Sequence, residues 1–284
     1  MWIIYAFGSA FFAGLTAVLA KCGIEHTNSH LATALRTIVV LIFSWIMVGI
    51  VGSFDTIHTI THKTFLFLIL SGISTGASWL CYFKALQLGN INKVTAIDKT
   101  SVVLTIILSF LFFKESVTAY KIIGMIILTI GTYLMVEKKK DTKQTSNAWL
   151  LYALLSVVFA SLTTILGKMG ITNIESNLGT AIRTSVVLIM SWIVVLVTHS
   201  QMNMNSIPKK EYLFIVLSGL ATGESWLCFY HALQNGPASL VTPIDKLSIL
   251  FTVLFSYLIF HEKLSKKSLL GLILIVSGTL VMLL

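Results

Sequence analysis

The chain has 284 residues, of which 56% are hydrophobic and only 11% are charged. A soluble domain carries about 25% charged residues, so this composition excludes a water-soluble protein and predicts an integral, multi-pass protein of the cell (inner or plasma) membrane. The net charge of +9 does not indicate nucleic-acid binding, because the lysines lie mainly in short loops, where they contact anionic lipid headgroups.

Apolar segments of about 20 residues, long enough to cross a bilayer, follow one another along the chain. The first five predicted helices cover residues 2–23, 31–52, 65–87, 94–113 and 118–136. After a charged linker at 138–147, five more cover residues 149–170, 178–199, 212–234, 241–260 and 265–283. The expected fold is therefore an all-α integral membrane protein with ten transmembrane helices, five in each of the halves 1–137 and 148–284.

The two halves are copies of each other. At a constant shift of 147 positions, roughly 59 of about 137 aligned positions are identical, far above chance. LATALRTIVVLIFSW (Leu31–Trp45) aligns with LGTAIRTSVVLIMSW (Leu178–Trp192), and VTAIDKTS (Val94–Ser101) aligns with VTPIDKLS (Val241–Ser248). Because each half has an odd number of helices, the second half must enter the membrane from the opposite side. The sequence therefore predicts two inverted five-helix repeats.

The lysines of the loops predict the orientation of the chain. One side of the membrane receives Lys63, Lys114 and Lys121, whereas the other receives the lysines of the linker and those at positions 209, 210, 263, 266 and 267. Since cytoplasmic loops carry an excess of Lys and Arg, we expect the linker in the cytoplasm and both termini outside.

The motifs of both halves resemble the EamA family of the drug/metabolite transporter superfamily. They include GLTAVLAKCGI (Gly14–Ile24), SGISTGASWLCYFKALQLG (Ser71–Gly89) and VTAIDKTSVVLTIILSFLFFKE (Val94–Glu115), each repeated in the second half. Each half is most similar to the short five-helix members. The resemblance implies a central cavity lined mainly by the first, third, fourth, sixth, eighth and ninth helices, alternating access, and export of amino acids, metabolites or toxic compounds. In well-studied ten-helix relatives both termini are cytoplasmic, which is opposite to the orientation that the lysines predict.

Charged side chains at membrane depth are the first candidates for the site, because each costs about 2.5–3.5 kcal/mol on insertion. Asp98 and Asp245 occupy equivalent positions. We expect Arg36 to pair with Asp98 on one side of the membrane and Arg183 to pair with Asp245 on the other. The further candidates for gating are equivalent lysines near helix ends, which could also extend to the lipid headgroups: Lys21 and Lys168, Lys99 and Lys246.

Hydroxyl groups follow each aspartate along one face of the predicted fourth and ninth helices. These stripes are either a cavity wall or hydrogen-bonding contacts between helices. An indole beside a polar cavity can stack on flat or cationic ligands, although a buried tryptophan can also simply fill space. The candidates for substrate or proton binding are Ser101, Thr105, Ser248 and Thr252 in the stripes, and Ser78, Trp79, Tyr82, Ser225 and Trp226 in the third and eighth helices.

Glu224 breaks the repeat, because its counterpart is Ala77. It lies about twelve residues into the predicted eighth helix, near the middle of the membrane. An ionisable group at that depth is a candidate proton or cation site, or it forms a structural ion pair with a lysine.

These features together predict a secondary active transporter rather than an enzyme. It would move a small polar or amphiphilic metabolite, such as an amino acid, an amine or a drug-like molecule, by proton-coupled alternating access. The alternative is a lipid-linked headgroup flippase or a membrane enzyme. The expected partners are the small-molecule substrate, the lipid bilayer and protons, with the chain a monomer or a homodimer. We expect no cofactor and no metal site.

Overall fold

A computed structural model describes residues 1–24, 26–88, 94, 97–135, 148–200, 207–261 and 265–284. All regular structure in these residues is helical. In the first half the helices are α1 (Trp2–Gly23), α2 (Ser29–Val51), a 3₁₀ helix (Ser53–Thr59), α3 (His62–Leu88), α4 (Ser101–Phe113) and α5 (Ala119–Met135). In the second half they are α6 (Ala148–Gly170), α7 (Ser176–Val197), α8 (Lys209–Asn235), α9 (Ala238–Asp245), α10 (Ser248–Phe260) and α11 (Lys266–Met282).

Seven helical segments of the described residues are long and apolar enough to cross a membrane. They are α1, α2, α6, α7 and α8, the segment His62–Tyr82 of α3, and the segment Ala238–Phe260 that α9 and α10 form together. The prediction of an all-helical, multi-pass membrane protein is thereby confirmed. The number of ten crossings stays a prediction, and the charged linker at 138–147 lies outside the described residues.

The predicted ninth helix, 241–260, differs from the observed structure. It begins at Ala238, directly after Pro237, and a turn at Lys246 and Leu247 divides it into α9 and α10. In the first half, Thr100 forms a turn just before α4 at nearly the same place. The first turn follows Asp98 and Lys99, and the second begins at Lys246, directly after Asp245. In each half the aspartate therefore lies at or next to the end of a helical segment.

The helices of the two halves are interleaved. α1 packs on α8, and α3 packs on α6, so that the first helix of each half lies against the third helix of the other. α5 and α11 cross at glycines: a Cβ atom on Gly124 would come within 2.5 Å of the Gly278 carbonyl oxygen, and one on Gly131 within 2.7 Å of the Gly271 carbonyl oxygen. Small residues let helix backbones approach closely where lipid provides no hydrophobic driving force. The interior therefore lies between the two halves rather than within each of them.

A large cluster of buried apolar side chains lies at one end of the interior. We call it the central apolar cluster; its buried members are Ala6, Leu68, Ile171, Ile174, Tyr230, Ala232, Leu233, Ala238, Val241 and Ile244. It joins α1, α3, α8, α9 and the turn that follows α6.

Among the described residues, the equivalents at the opposite end of the molecule fall in more than one cluster. The counterparts of Ala6 and Leu68 are Ala153 and Ile215, which belong to two separate clusters. Ile24 is 38% exposed, although its counterpart Ile171 is completely buried. Within the described residues, the two ends therefore differ in the burial of equivalent side chains despite their similar sequences.

Candidate functional site

A cavity of about 350 Å³ lies between the halves, next to the central apolar cluster. Its lining residues come from α1, α3, α6, α7, α8 and the end of α9, which includes five of the six helices that the resemblance implied. α4 contributes no lining residue in the part of the chain that the structure describes, and α7 contributes one that was not expected. The lining residues are Ser9, Ala13, Thr75, Ser78, Trp79, Ala160, Thr163, Thr164, Arg183, Ser225, Trp226, Phe229, Tyr230, Asp245 and Lys246.

Asp245 is the carboxylate of this cavity. As the last residue of α9, it lies beside the helix break. Its Oδ1 atom accepts a 2.7 Å hydrogen bond from Ser9 Oγ on α1. The Ser9 and Ser225 hydroxyls are 3.3 Å apart, and Ser225 Oγ donates to the Ser9 backbone carbonyl at 3.1 Å. Two serines thus position the carboxylate, one from each half.

The first half contains the same arrangement. Ser156 Oγ donates to Asp98 Oδ1 at 3.1 Å, and Ser78 Oγ donates to the Ser156 carbonyl at 3.1 Å. Ser156, Ser78 and Asp98 are the counterparts of Ser9, Ser225 and Asp245 at the 147-residue shift. Each aspartate therefore accepts a hydrogen bond from a serine on the first helix of the other half, and that serine is in turn bonded to a serine of the aspartate's own half.

Arg183 is the buried cation of the cavity, with 3% of its surface exposed. Its Nε atom donates to Ser71 Oγ at 3.0 Å and its Nη2 atom donates to Thr75 Oγ1 at 2.7 Å. The guanidinium lies 5.2 Å from the centre of the Trp226 ring and 4.8 Å from that of Tyr230, so aromatic faces offset part of the cost of burying its charge.

Neither of the ion pairs predicted between an arginine and an aspartate is formed here. Arg183 is bound to hydroxyls of α3, in the other half, and Asp245 accepts from Ser9. Arg36, the counterpart of Arg183, is half-buried and makes no hydrogen bond or ion pair with any described residue. The hydroxyl equivalent to Ser71, that of Ser218, donates instead within its own helix, to the Ile215 carbonyl.

The two tryptophans and the hydroxyl stripes occupy different places. Trp79 and Trp226 line the cavity, whereas Tyr82 packs beside Ala85 and Ala153 away from it. The stripe hydroxyls lie outside the cavity lining, at contacts between helices. Thr105 and Thr252 donate to the carbonyls of Ser101 and Ser248 one turn earlier, and the Ser101 carbonyl also accepts from Ser161 of α6. This geometry favours a packing role for the stripes.

The remaining charged candidates surround the cavity at different distances. Lys246 lines it, with Nζ 4.0 Å from Asp245 Oδ2, and lies close enough to Lys99 for the two charges to repel each other. Glu224 is half-buried on α8 and does not line this cavity. The cavity lining therefore includes one carboxylate, Asp245, and two cations, Arg183 and Lys246, together with aromatic side chains.

Lys168 lies on α6, one turn beyond the cavity residue Thr164. Its Nζ atom is 3.2 Å from Glu115 Oε1 and donates to the Gly236 carbonyl at 2.6 Å. Glu115 also accepts hydrogen bonds from the backbone nitrogens of Ala238 and Ser239, the first residues of α9. Burial alone would raise the pKa of the Glu115 carboxyl, but the hydrogen bonds from Ser239 and Ala238 and the charge of Lys168 hold it below its ordinary value. Glu115 is thus ionised at neutral pH.

The ring contacts of Lys168 and Lys21 match. Lys168 Nζ lies 4.8 Å from the centre of the Phe113 ring, and Lys21 Nζ lies 4.5 Å from that of Phe260, the counterpart of Phe113.

Among the described residues, no three His, Cys, Asp or Glu side chains come together as a metal site.

Sequence reasoning missed Ser9, Ser156 and Thr75. Ser9 and Ser156 are identical polar residues at equivalent positions of otherwise apolar helices, which is the signal that selected Asp98 and Asp245. Applying that signal to every hydroxyl in the repeat would have identified both serines.

By fold and composition, the chain is an all-helical, multi-pass membrane protein with a polar cavity between two related halves. The profile of the EamA-like transporter family matches residues 1–137 and 147–284, so the chain belongs to that family and is a membrane transporter. The family resemblance read from the sequence is confirmed.

The similar proteins agree with this assignment. An uncharacterised transporter of a Sinorhizobium species is 42% identical over 137 residues, which is 48% of this chain and 97% of that relative. One half of the chain thus corresponds to nearly the whole relative. An uncharacterised transporter of Bacillus subtilis, YxxF, is 22% identical over 55% of this chain and 50% of its own length. A solved crystal structure with 15% identity has a TM-score of 0.76 over 99% of this chain and 95% of its own, which shows a shared fold.

Proposed function

We propose that this protein is a secondary active transporter that moves a small polar or amphiphilic metabolite by proton-coupled alternating access. In this proposal the chain crosses the membrane ten times as two inverted halves, and the substrate binds in the cavity beside Asp245 and Arg183. An amino acid, an amine or a drug-like molecule would fit a cavity that combines both charges with aromatic walls.

The observation that carries the proposal is the asymmetry between equivalent groups. Arg183 is bound to Ser71 and Thr75, whereas its counterpart Arg36 has no such partners in the described residues. Ile171 in the central apolar cluster is completely buried, whereas its counterpart Ile24 is 38% exposed. Two related halves that differ in this way are expected of a protein with two states of similar energy, in which one end is closed while the other is open.

The cavity chemistry supports a transported substrate rather than a permanently bound group. Asp245 is held by Ser9 at 2.7 Å and has Lys246 at the edge of ion-pair distance. A substrate ammonium group or a proton could compete with Lys246 for this carboxylate, and an aromatic or aliphatic body could pack on Trp79 and Trp226. Binding through a few polar groups in an aromatic pocket is typical of small-molecule sites.

The test is flux into liposomes that contain the purified chain. A panel of amino acids, amines and amphiphilic compounds would be screened with and without an imposed pH gradient, beside Asp245→Asn and Asp98→Asn. We expect at least one compound class to accumulate with wild type, and both variants to reduce that flux. Absence of flux for every class, with the protein folded, would reject the proposal, and translocation of a labelled lipid headgroup instead would favour a flippase.

A further inference from the structure

We propose that Glu115 is a gating residue, whose ion pair with Lys168 and hydrogen bonds to the start of α9 hold the cavity closed at the end next to the central apolar cluster. We call this set of contacts the latch. The inference rests on the proposed function, because a gate has a role only in a protein that opens alternately to its two sides.

The latch connects three separate elements through buried groups. Glu115 follows α4 in the first half, Lys168 lies on α6, and Ala238 begins α9. The side chains of Glu115 and Lys168 are only 9% and 15% exposed. Glu115 Oε1 accepts from Lys168 Nζ at 3.2 Å and from the Ala238 nitrogen at 2.7 Å, while Oε2 accepts from the Ser239 nitrogen at 3.0 Å. Hydrogen bonds with an ionised partner are the strong ones, and a carboxylate at a helix N-terminus is further favoured by the helix dipole.

The latch lies directly against the apolar cluster that closes this end. Ala238 is a member of the cluster, and Phe113, two residues before Glu115, packs against it. Tyr230 belongs to the cluster and also lines the cavity. A continuous series of contacts therefore runs from the latch through the cluster to the cavity wall.

α9 connects the latch to the carboxylate of the cavity. It has eight residues, begins at Ala238 and ends at Asp245. At 1.5 Å per residue it spans about 12 Å as a single helical segment. When Glu115 and Lys168 separate, the start of α9 loses its anchors, and movement of this short helix carries Asp245 with it. Opening of this end and a change at the cavity carboxylate are thereby coupled.

The opposite end of the molecule supplies the comparison. Lys21 and Phe260 reproduce the contact of Lys168 with Phe113, so the two ends share this chemistry. Yet Ile171, three residues beyond Lys168, is completely buried, while its counterpart Ile24 is 38% exposed. The end that carries the Glu115 latch is thus the closed one.

The experiment measures the accessibility of these two isoleucine positions. Ile171→Cys and Ile24→Cys would each be placed in a chain whose native cysteines, Cys22, Cys81 and Cys228, are replaced by alanine. Maleimide labelling rates would then be measured on the purified full chain in nanodiscs, where both sides are open to the reagent. Each reporter would be combined with Glu115→Gln, with Lys168→Met, and with the matched control Lys21→Met.

The proposal predicts a reciprocal change. Both latch variants should accelerate labelling of Ile171→Cys by roughly tenfold or more, because removing one partner of a buried charge pair leaves the other uncompensated. The same variants should slow labelling of Ile24→Cys, since that end closes as the first end opens. Lys21→Met, a change at the opposite end, should not accelerate labelling of Ile171→Cys.

Two outcomes would overturn the assignment of Glu115. Unchanged Ile171→Cys labelling in both latch variants, with melting transitions that remain cooperative, would show that the contacts do not hold this end closed. Faster labelling at both reporters together would show general loosening rather than gating. Because the labelling needs no substrate, a reciprocal change without flux in the liposome screen would reject only the transporter proposal, and flux without a reciprocal change would reject only the latch.

Discussion

Ser9 donates a 2.7 Å hydrogen bond to Asp245, although 236 residues separate them in the chain. Their counterparts Ser156 and Asp98 make the same bond at 3.1 Å. The first helix of each half therefore serves the aspartate of the other half. A movement of one half relative to the other would change the distance between each serine and its aspartate. Both hydrogen bonds would therefore change when the cavity changes its conformation.

Substituting the two equivalent arginines should have unequal effects on stability. Arg183→Lys loses the paired contacts with Ser71 and Thr75, because one ammonium group cannot reproduce a planar guanidinium fork. Hydrogen bonds to charged groups contribute about 1.5–3 kcal/mol each, so we expect the apparent melting temperature to fall by several degrees. Arg36→Lys, measured in the same detergent, should melt within about one degree of wild type. Equal melting temperatures for the two variants would contradict the asymmetry of the arginine contacts.

Glu224 is predicted to bind and release the proton that drives transport. It is half-buried on α8, with no hydrogen bond or ion pair to the described residues, and its counterpart is Ala77. Glu224→Gln should abolish flux driven by a pH gradient while the melting curve stays like that of wild type, because the amide cannot carry the proton. Exchange of substrate will survive if Glu224 serves only the proton. The matched variant Ala77→Glu places a carboxylate at the equivalent position of the first half, and tests whether coupling needs a carboxylate in one half only. Wild-type flux in Glu224→Gln would leave Asp98 and Asp245 as the candidate proton sites.

The contribution of Glu115 to the stability of the folded protein should change with pH only under acidic conditions. Its pKa in the folded protein lies below the ordinary value of 4.5, so its stabilising effect is present above that value and is lost as the pH falls through the lowered pKa. The difference in melting temperature between wild type and Glu115→Gln should therefore be constant from about pH 8 to about pH 5.5 and shrink below about pH 4.5. A difference that disappears between pH 7 and pH 6 would show that another group controls this end.

The predicted orientation of the chain can be tested by labelling intact cells. In a cysteine-free background, Thr142→Cys in the linker should resist an impermeant thiol reagent, because the lysine bias places the linker in the cytoplasm. Asp55→Cys, in the exposed 3₁₀ helix at the other side, should react. The reverse pattern would place both termini in the cytoplasm, as in the well-studied relatives.

The positions of the helices could be predicted from the sequence, but the helix break could not. The apolar segments predicted residues 31–52 for a helix that runs from Ser29 to Val51. The turn at Lys246 and Leu247 could not be predicted, because it is only two residues long. The apolar residues on either side of it still follow one another as they would in one continuous helix. Pro243 lies inside α9 without ending it, so even the usual helix-breaking residue did not mark the place.

The members of the site could be predicted better than their partners. Asp245, Arg183, Trp79, Trp226, Ser225 and Ser78 line the cavity as expected of binding or gating residues. The predicted pairing of Arg183 with Asp245 joined residues of one half, whereas Arg183 contacts Ser71 and Thr75 of the other. A constant shift identifies equivalent residues but not touching ones, and interleaving of the halves puts most contacts of the site between residues far apart in the chain.

Interleaving also has an evolutionary consequence. A gene encoding one half alone would yield a chain whose first helix lacks the surface it packs on, and whose aspartate lacks its serine. Two such chains in opposite orientations could complete each other, but every mutation would then appear on both faces of the membrane at once. Duplication and fusion remove that constraint. In the proposed inverted topology, Glu224 opposite Ala77 and His231 opposite Lys84 are differences that only a fused chain can confine to one face. Under the proposed alternating access, they would let selection give the two directions of movement unequal rates.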